Sequence, residues 1–471
     1  MRGDLCGAGA VTTLAELVAA AHRTFAARPA IGALTFGDLG AQARAAATAL
    51  RWLGLRPGDR VLIALDNRPE VLALEHALWL GGFVRVAVST RLHPAEIAAI
   101  ADDCAAAAIV TELDVPGRRV IAPGAELFAG PADDFEPRHD PDELAALMYT
   151  SGSTGRPKGA RVTSGAWVAM VEAMWQELPP IGPDDVVLHV APMSHFSGSV
   201  GSAYTLAGAA AVPLTRFDAV EAVEAIERHR VTAVTLVPTM LERLAEVVDR
   251  PASLRAVVYG AAPISVPAMR RAQQAFGTVL YQFYGLSEAL APLTVLSAAD
   301  HATGDPQVLS SIGRPVDSVE LSIVDGEIAV RGPQIMPGYW GGEALWDGWF
   351  CTGDLGHLDA AGRVHLAGRR SELIVTGGFN VHPAEVEQAI AALDGVAEVA
   401  VLGVPDARWG EAVSAAVVRR PGSEVSEEDV RRACARRLAG YKKPRRVVFL
   451  PELPQTSTGK PDRKRLRAAF S

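Results

Sequence analysis

Apolar residues along the chain fall into short continuous runs that alternate with longer stretches of helical period. "RVLIAL" (60–65) is followed by "PEVLALEHALWL" (69–80), "DVVLHVAPM" (185–193) by a Gly/Ala-rich segment, "VTAVTLV" (231–237) by "PTMLERLAEVV" (238–248), and "LRAVVYG" (254–260) by "VPAMRRAQQAF" (266–276). Runs without polar alternation mark strands buried on both faces, and their regular succession with helices predicts largely parallel, helix-covered sheets: an α/β fold. After residue 310 the pattern changes. "VELSIVDGEIAVRG" (319–332) reads as a hairpin through Asp325-Gly326, and "GHLDAAGRVHLAG" (356–368) as a second one, a small β-barrel-like part of a large N-terminal domain. From "SELIVTGGFNVHPAEVEQAI" (371–390) strands and helices restart in a smaller α+β pattern, which places a boundary near 370 and divides the chain into 1–370 and 371–471. A chain of 471 residues exceeds what one core usually serves, in agreement with two domains.

Composition narrows the function classes. The chain is 49% hydrophobic and 21% charged, the profile of a folded globular protein. A net charge of -9 offers no attractive field to nucleic acid or an anionic membrane. Cys6, Cys104, Cys351 and Cys434 lie far apart and match neither a zinc spacing nor a disulfide framework, so free thiols in a cytoplasmic protein are expected, with no membrane span. Lysine occurs only at 158, 442, 443, 460 and 464, so 40 of the 45 cationic residues are arginine and each lysine that persists invites a chemical reason.

The stretch "MYTSGSTGRPKGARV" (148–162) supplies one. A strand-like "LAALMY" (144–149) runs into a segment too rich in glycine to continue it, so Ser151 to Gly159 is expected to form an exposed loop at the strand's end, where ligands of open α/β sheets sit. Backbone N–H groups at Gly152 and Gly155, the hydroxyls of Thr150, Ser151, Ser153 and Thr154, and the Lys158 ammonium suit a polyphosphate. Pro157 before Lys158 and Gly159 after it rule out the G-x-x-x-x-G-K-[ST] pattern of P-loop kinases and GTPases.

"YTSGSTGRPKG" resembles the phosphate-loop signature of the adenylate-forming superfamily, which includes acyl- and aryl-CoA synthetases, luciferases and the adenylation domains of peptide synthetases. "PMSHFSG" (192–198), "VVYGAAP" (257–263), "YGLSEA" (284–289), "WFCTGDLG" (349–356), "GRRSELIVTGGFNVHPAEVE" (368–387) and "TSTGKPDRKRLR" (456–467) follow in that family's order, so the resemblance spans nearly the whole chain. It implies stacked sheets in the large domain, a small mobile C-terminal domain, and ATP and Mg²⁺ as requirements. A carboxylate is a poor electrophile because its leaving group would be oxide; adenylation replaces that group with AMP. The two anions that must meet make positioning and charge neutralisation dominant.

By resemblance, Ser151 to Lys158 hold the β- and γ-phosphates, while Glu288, with Thr154, holds the metal. Ser287 stands where relatives mostly carry threonine and keeps the hydroxyl. Tyr284, followed by Gly285, stacks on adenine, with the backbone of Gly260, Ala261 and Ala262 against the ring's other face. Asp354 accepts from the ribose hydroxyls, and Arg369 supports the ribose or phosphate side. Lys460, in the Gly-Lys pair near the C-terminus, bridges the substrate carboxylate and the α-phosphate. The small domain then rotates about Ser371, where relatives usually carry aspartate or lysine, and the "TGGFN" segment admits a pantetheine thiol past Gly378.

His195 matches the family's gate beside the carboxylate. The following segment "FSGSVGSAYTLAGAA" (196–210) contains no acid or base, whereas peptide-synthetase domains place an aspartate there for an α-ammonium group. An aryl or short-to-medium acyl acid is therefore expected, with Phe196, Tyr204, Tyr259, Ala289 and Leu290 as candidate walls. The expected acceptor is CoA, with a carrier-protein phosphopantetheine or another non-CoA acceptor such as an amine as the alternative, in a monomer or homodimer. A catalytically silent nucleotide-binding protein would show damage at Lys158, Glu288, Asp354 or Lys460, and all four are intact.

Overall fold

The computed structural model describes residues 13–136, 140–150, 157–262, 264–342, 348–376, 379–406, 408–456 and 460–470. Two compact units emerge. The first takes residues up to Ala261, then Arg271–Leu321 and Val330–Phe350; the second takes Ala262–Arg270, Ser322–Ala329 and residues from Cys351 onward.

The first unit carries β1 (Pro29–Ile31), β2 (Leu34–Thr35), β3 (Arg60–Ala64), β4 (Val84–Ala87), β5 (Ala108–Thr111), β6 (Val120–Ile121), β7 (Leu144–Thr150) and β8 (Lys158–Thr163). They are followed by β9 (Val186–His189), β10 (Ala210–Pro213), β11 (Ala233–Leu236), β12 (Ala256–Gly260), β13 (Leu280–Tyr284), β14 (Thr294–Leu296) and β15 (Arg314–Pro315). One sheet has the order β6-β5-β3-β4-β7-β8, the other β15-β14-β13-β12-β11-β9-β10-β1-β2. In the six-stranded sheet β3 to β7 run parallel and β8 turns back antiparallel on β7. In the larger sheet β9 to β13 and β1 form a parallel set, with β14 and β15 antiparallel at one side.

The unalternating apolar runs are explained by burial: every residue of β4, β11 and β12 is buried. Helix Pro69–Gly81 is apolar all round for the same reason, buried from Val71 to Gly81. It starts on a proline, which needs no donor there, and stops at Gly82, whose φ of 72° a side chain would resist.

β16 (Glu320–Val324), β17 (Glu327–Arg331), β18 (Phe350–Leu358) and β19 (Val364–Arg369) make a four-stranded sheet in chain order where the barrel-like part was expected. Asp325 and Gly326 have φ of 50° and 77°, so the Asp-Gly pair forms the tight turn that its sequence calls for.

The second unit continues with β20 (Ile374–Thr376), β21 (Phe379–Val381), β22 (Val396–Asp406), β23 (Gly410–Arg419) and β24 (Arg446–Leu450), in the order β21-β20-β23-β22 with β24 also on β23. Its core gathers Val386, Ile390, Val401, Val413, Ala415, Val417 and Val430 on one face of that sheet. Leu402, Val404, Leu453, Leu466 and Phe470 fill the other. At the middle of β22 the Val401 N–H donates to Glu387 Oε1 at 2.8 Å, and Arg463 donates to the Val401 carbonyl and, at 3.0 Å, to Glu387.

Candidate active site

Four side chains of the first unit converge although they lie up to 189 positions apart in sequence (150 to 339). Thr150 closes β7 and sits directly opposite Lys158, the first residue of β8. Lys158 and Gly159 are thus strand residues and not part of the expected loop, because the antiparallel return on β7 satisfies their backbone. The Thr150 hydroxyl is 3.4 Å from Glu288 Oε1, and the Tyr339 hydroxyl donates to the same oxygen at 3.0 Å. Lys158 Nζ stands 5.4 Å from the centre of the Tyr339 ring.

Backbone pairing fixes this arrangement. Ala160 bridges to Tyr339, Trp340 N donates to the Gly159 carbonyl at 2.8 Å, and Met336 N donates to the Glu288 carbonyl at 2.9 Å. On the other side of Thr150, the Tyr149 hydroxyl donates to Asp103 at 2.5 Å; burial and that carboxylate hold the phenol well above its usual range, so it stays a donor. Ser151, Gly152, Ser153, Thr154 and Gly155 lie outside the described residues.

The donor set suits magnesium: one carboxylate flanked by hydroxyls, all oxygen, with an ammonium nearby for phosphate charge. Among the described residues no group of three or more His, Cys, Asp or Glu side chains could form a metal cage. Magnesium typically uses one or two carboxylates and substrate phosphates, and Glu288 fits that mode.

Tyr284 ends β13 as a buried residue, and its carbonyl accepts from Leu293 N at 2.8 Å. Gly260 ends the neighbouring β12, where a Cβ would lie 2.4 Å from the Phe283 carbonyl oxygen. Ala261 follows with φ of 67°, a left-handed backbone that costs an L-residue about 1 kcal/mol. A Cβ on Gly285 would meet Ala291 at 2.6 Å. Ser287 is half-buried one residue before Glu288, and Ala289 is buried and bridges to Ile335.

His195 caps helix Phe196–Leu206 with φ -128° and ψ -140°, its side chain making no capping bond; Nδ1 instead pairs with Ser194 Oγ at 2.7 Å. Phe196 meets Phe283 edge to face at 6.5 Å. Tyr259 is fully buried, its hydroxyl 2.8 Å from His301 Nε2. Tyr204 and Leu290 are also buried. Two hydroxyls of the helix are spent internally: Ser197 bonds His189 Nδ1 at 2.8 Å, and Ser202 accepts from Trp167 at 3.1 Å.

In the second unit Asp354 and Arg369 are cross-strand partners on β18 and β19, joined at 2.9 Å. Asp354 is buried, and its N–H donates to Thr352 Oγ1 at 3.1 Å. Ala262 falls in this unit, immediately after the left-handed Ala261. Lys460 is exposed on a turn closed by its own backbone: Lys460 N donates to Thr456 Oγ1 at 3.2 Å, and Thr456 N donates to the Lys460 carbonyl at 2.7 Å. Gly378 lies outside the described residues.

The family of AMP-binding enzymes matches residues 18–340, and the C-terminal domain of AMP-binding enzymes matches residues 385–460. The chain belongs to the AMP-binding enzyme family. Feruloyl-CoA synthase from an Amycolatopsis species is 36% identical over 93% of this chain and 94% of its own. The medium/long-chain-fatty-acid–CoA ligase FadD8 of Mycobacterium tuberculosis is 32% identical over 93% of this chain and 86% of its own.

Among solved structures, the o-succinylbenzoate CoA synthetase of Bacillus subtilis, in complex with its acyl-adenylate intermediate, superposes with a TM-score of 0.87 at 31% identity, covering 96% of this chain and 97% of that one. The amide bond synthetase McbA of Marinactinospora thermotolerans reaches the same TM-score at 30% identity, covering 98% and 100%. By class, this AMP-binding enzyme is an acid–thiol ligase of the acyl-CoA synthetase kind. Among its described residues no helix is long and apolar enough to cross a membrane.

Sequence reasoning missed Tyr339. "PGYW" (337–340) carries an aromatic with no charged or hydroxyl-rich context, and only the backbone bridge to Ala160 brings it to Glu288. The hydrogen bond from Tyr339 is placed to orient the carboxylate, so Tyr339→Phe is expected to raise the KM for Mg·ATP about tenfold, the lower end of what one bond to a charged group is worth, with the acid's KM unchanged. Steady-state kinetics with varied Mg·ATP check this; an unaltered KM would show that Tyr339 only packs.

Proposed function

We propose that the chain joins a carboxylic acid to ATP, releasing pyrophosphate, and passes the resulting acyl group from the adenylate to the thiol of CoA. The observation that carries this reading is the meeting of Thr150, Lys158, Tyr339 and Glu288, an ammonium beside an all-oxygen carboxylate site. Magnesium held on Glu288 would neutralise phosphate charge as the acid's oxygen approaches the α-phosphorus. Lys158 balances the charge of the leaving pyrophosphate. Asp354, held by Arg369, is suited to accept from ribose hydroxyls, and the small-residue backbone at Gly260–Ala262 with Tyr284 to an adenine ring. Lys460 supplies a positive charge complementary to the negative charge that builds up between carboxylate and α-phosphate. We assign 1–370 to acid activation and 371–471 to the mobile part, with the 3₁₀ turn Arg370–Glu372 as its hinge.

An acid with an uncharged body fits best. Helix Phe196–Leu206 offers no carboxylate to an α-ammonium group, and the hydroxyls of Ser197 and Ser202 are engaged within the fold. The feruloyl and fatty-acyl relatives support an aryl or alkyl acid. For the acceptor, the CoA-forming relatives support the CoA thiol, and the second unit carries an exposed ring, Phe379, stacked on Tyr441 at 4.5 Å, of the kind on which a purine can stack.

A panel of aryl, alkyl and α-amino acids, each with ATP and Mg²⁺ and then with CoA, a holo carrier protein or an amine, tests the reading by AMP release and product mass. Aryl or alkyl acids with free CoA are expected to give thioester. An α-amino acid as best substrate, or product only with carrier protein or amine, would overturn the corresponding half.

A further inference from the structure

The turn that presents His195 is held by residues that neither the motifs nor the family match single out. Asn67, which follows β3 of the six-stranded sheet, reaches across to the loop after β9 of the other sheet. Its Nδ2 donates to the carbonyls of Ala191 at 2.9 Å, Leu214 at 3.0 Å and His189 at 3.3 Å, and its Oδ1 accepts from Met193 N at 2.7 Å. From the middle of β4, Arg85 reaches the same turn: Nη2 lies 3.3 Å from the Met193 carbonyl and 3.4 Å from that of Ser194. The guanidinium is anchored in turn by Glu75 Oε1, at 2.7 Å from Nε and 2.6 Å from Nη2.

Both charges of this pair are almost wholly excluded from water, with 2% and 3% of the side chains accessible. Removing two ions from water is costly, and well-packed apolar residues of similar volume serve stability at least as well. What an apolar pair cannot supply is direction. A planar guanidinium held by Glu75 points its donors at the carbonyls of Met193 and Ser194, while the Asn67 amide reads the N–H of Met193 and the carbonyl two residues earlier. The far side is closed by Gly198, where a Cβ would stand 1.9 Å from the Met193 oxygen. Met193 is therefore fixed at its N–H, at its carbonyl and by the helix start, two residues before His195.

Arg85 lies in β4, and Asn67 just beyond the end of β3, of the sheet whose β7 and β8 carry Thr150 and Lys158. We infer that Asn67 and the Glu75–Arg85 pair are positioning residues that lock the acid-binding turn onto the phosphate-binding sheet, so that the carboxylate oxygen is presented at a fixed distance from the nucleotide. The inference rests on the reading above, in which His195 borders the carboxylate. Small misplacements of a reacting group cost about 10- to 100-fold even when the altered residue is remote from the chemistry.

The test is a mutant cycle in acid-dependent pyrophosphate exchange. The paired replacement Glu75→Leu with Arg85→Met keeps an apolar core, and Asn67→Ala changes no charge and carries the same test should the pair not fold. Each is expected to lower kcat/KM for the acid about 10- to 100-fold while the KM for ATP moves less than about twofold. Made on a His195→Ala background, each is expected to cost less than about threefold more, because the group being positioned is already gone. Arg85→Lys, which keeps the charge but not the fork, is expected to fall between the two.

Equal losses toward acid and ATP, or losses that multiply fully with that of His195→Ala, would make these residues structural and overturn the inference. Folded variants with normal acid kinetics, beside an impaired His195→Ala protein, would overturn this inference alone. A His195→Ala protein with unchanged acid kcat/KM would overturn the acid-site reading and this inference with it.

Discussion

Lys460→Ala is expected to lower acid-dependent pyrophosphate exchange by about 10²- to 10³-fold, the usual effect of deleting one charge complementary to a transition state, while ATP affinity and melting temperature hold. The structure explains why so large a functional loss need carry little structural cost. The turn bearing Lys460 is closed by its own N–H and carbonyl, both bonded to Thr456, and alanine retains them. The side chain is exposed and fills no core, so nothing collapses when it is shortened. Exchange measured with saturating acid, together with nucleotide titration of the same variant, separates chemistry from binding. Wild-type exchange in Lys460→Ala would reduce the residue to one more cation of the basic tail.

The second large effect is acid lability of the first unit. His22, His76, His189 and His301 are all buried. Burial, the largest cause in each case, lowers His22, His189 and His301 to about 4 and His76 well below its ordinary value of 6.5. The folded protein therefore keeps them neutral. The unfolded chain binds their protons once the pH drops below about 6.5, so stability is complete above that value and is lost as pH falls toward 4. His22, His189 and His301 each forfeit about 1.4 kcal/mol per pH unit across that window, together about 6 kcal/mol at pH 5, and His76 adds to the loss in the same direction, a large part of the stability of a typical domain. His22 Nε2 and His76 Nδ1, only 2.8 Å apart, share one proton between them and leave no room for a second. Denaturant titrations between pH 7.5 and 4.5 are expected to show stability falling by several kcal/mol below pH 6.5. A flat profile would mean that these imidazoles are already protonated in the fold.

What the sequence made legible follows from how local each signal is. The βα rhythm survives translation into structure because a strand buried on both faces must be apolar throughout, and "VTAVTLV" and "LRAVVYG" became β11 and β12 for that reason. The Asp325-Gly326 turn was equally readable, since few residue pairs adopt two left-handed conformations in succession. Sheet order was not readable: β9 lies between β10 and β11, an arrangement decided by long-range packing.

The same division runs through the site. Thr150, Lys158, Glu288, Asp354 and Lys460 announce themselves by residue type in dense motifs. Tyr339, Asn67, Glu75 and Arg85 sit in ordinary contexts, "GFVRVAVS" (82–89) reading as a buried strand with one arginine out of place. That arginine was the available signal. A cation in an unbroken apolar run must be paired, but its partner lies on a preceding helix and its target in a loop more than a hundred residues later, and only the fold joins them.

The bonds at Val401 have a consequence for self-association. β22 is the outermost strand of its sheet, and an outermost strand presents unpaired backbone groups to which a strand of another molecule could add. At its midpoint Glu387 and Arg463 occupy both positions such an intruder would need, the acid on the N–H and the guanidinium on the carbonyl. Extension of the sheet from one copy of the protein into the next is thereby blocked at the centre of the strand.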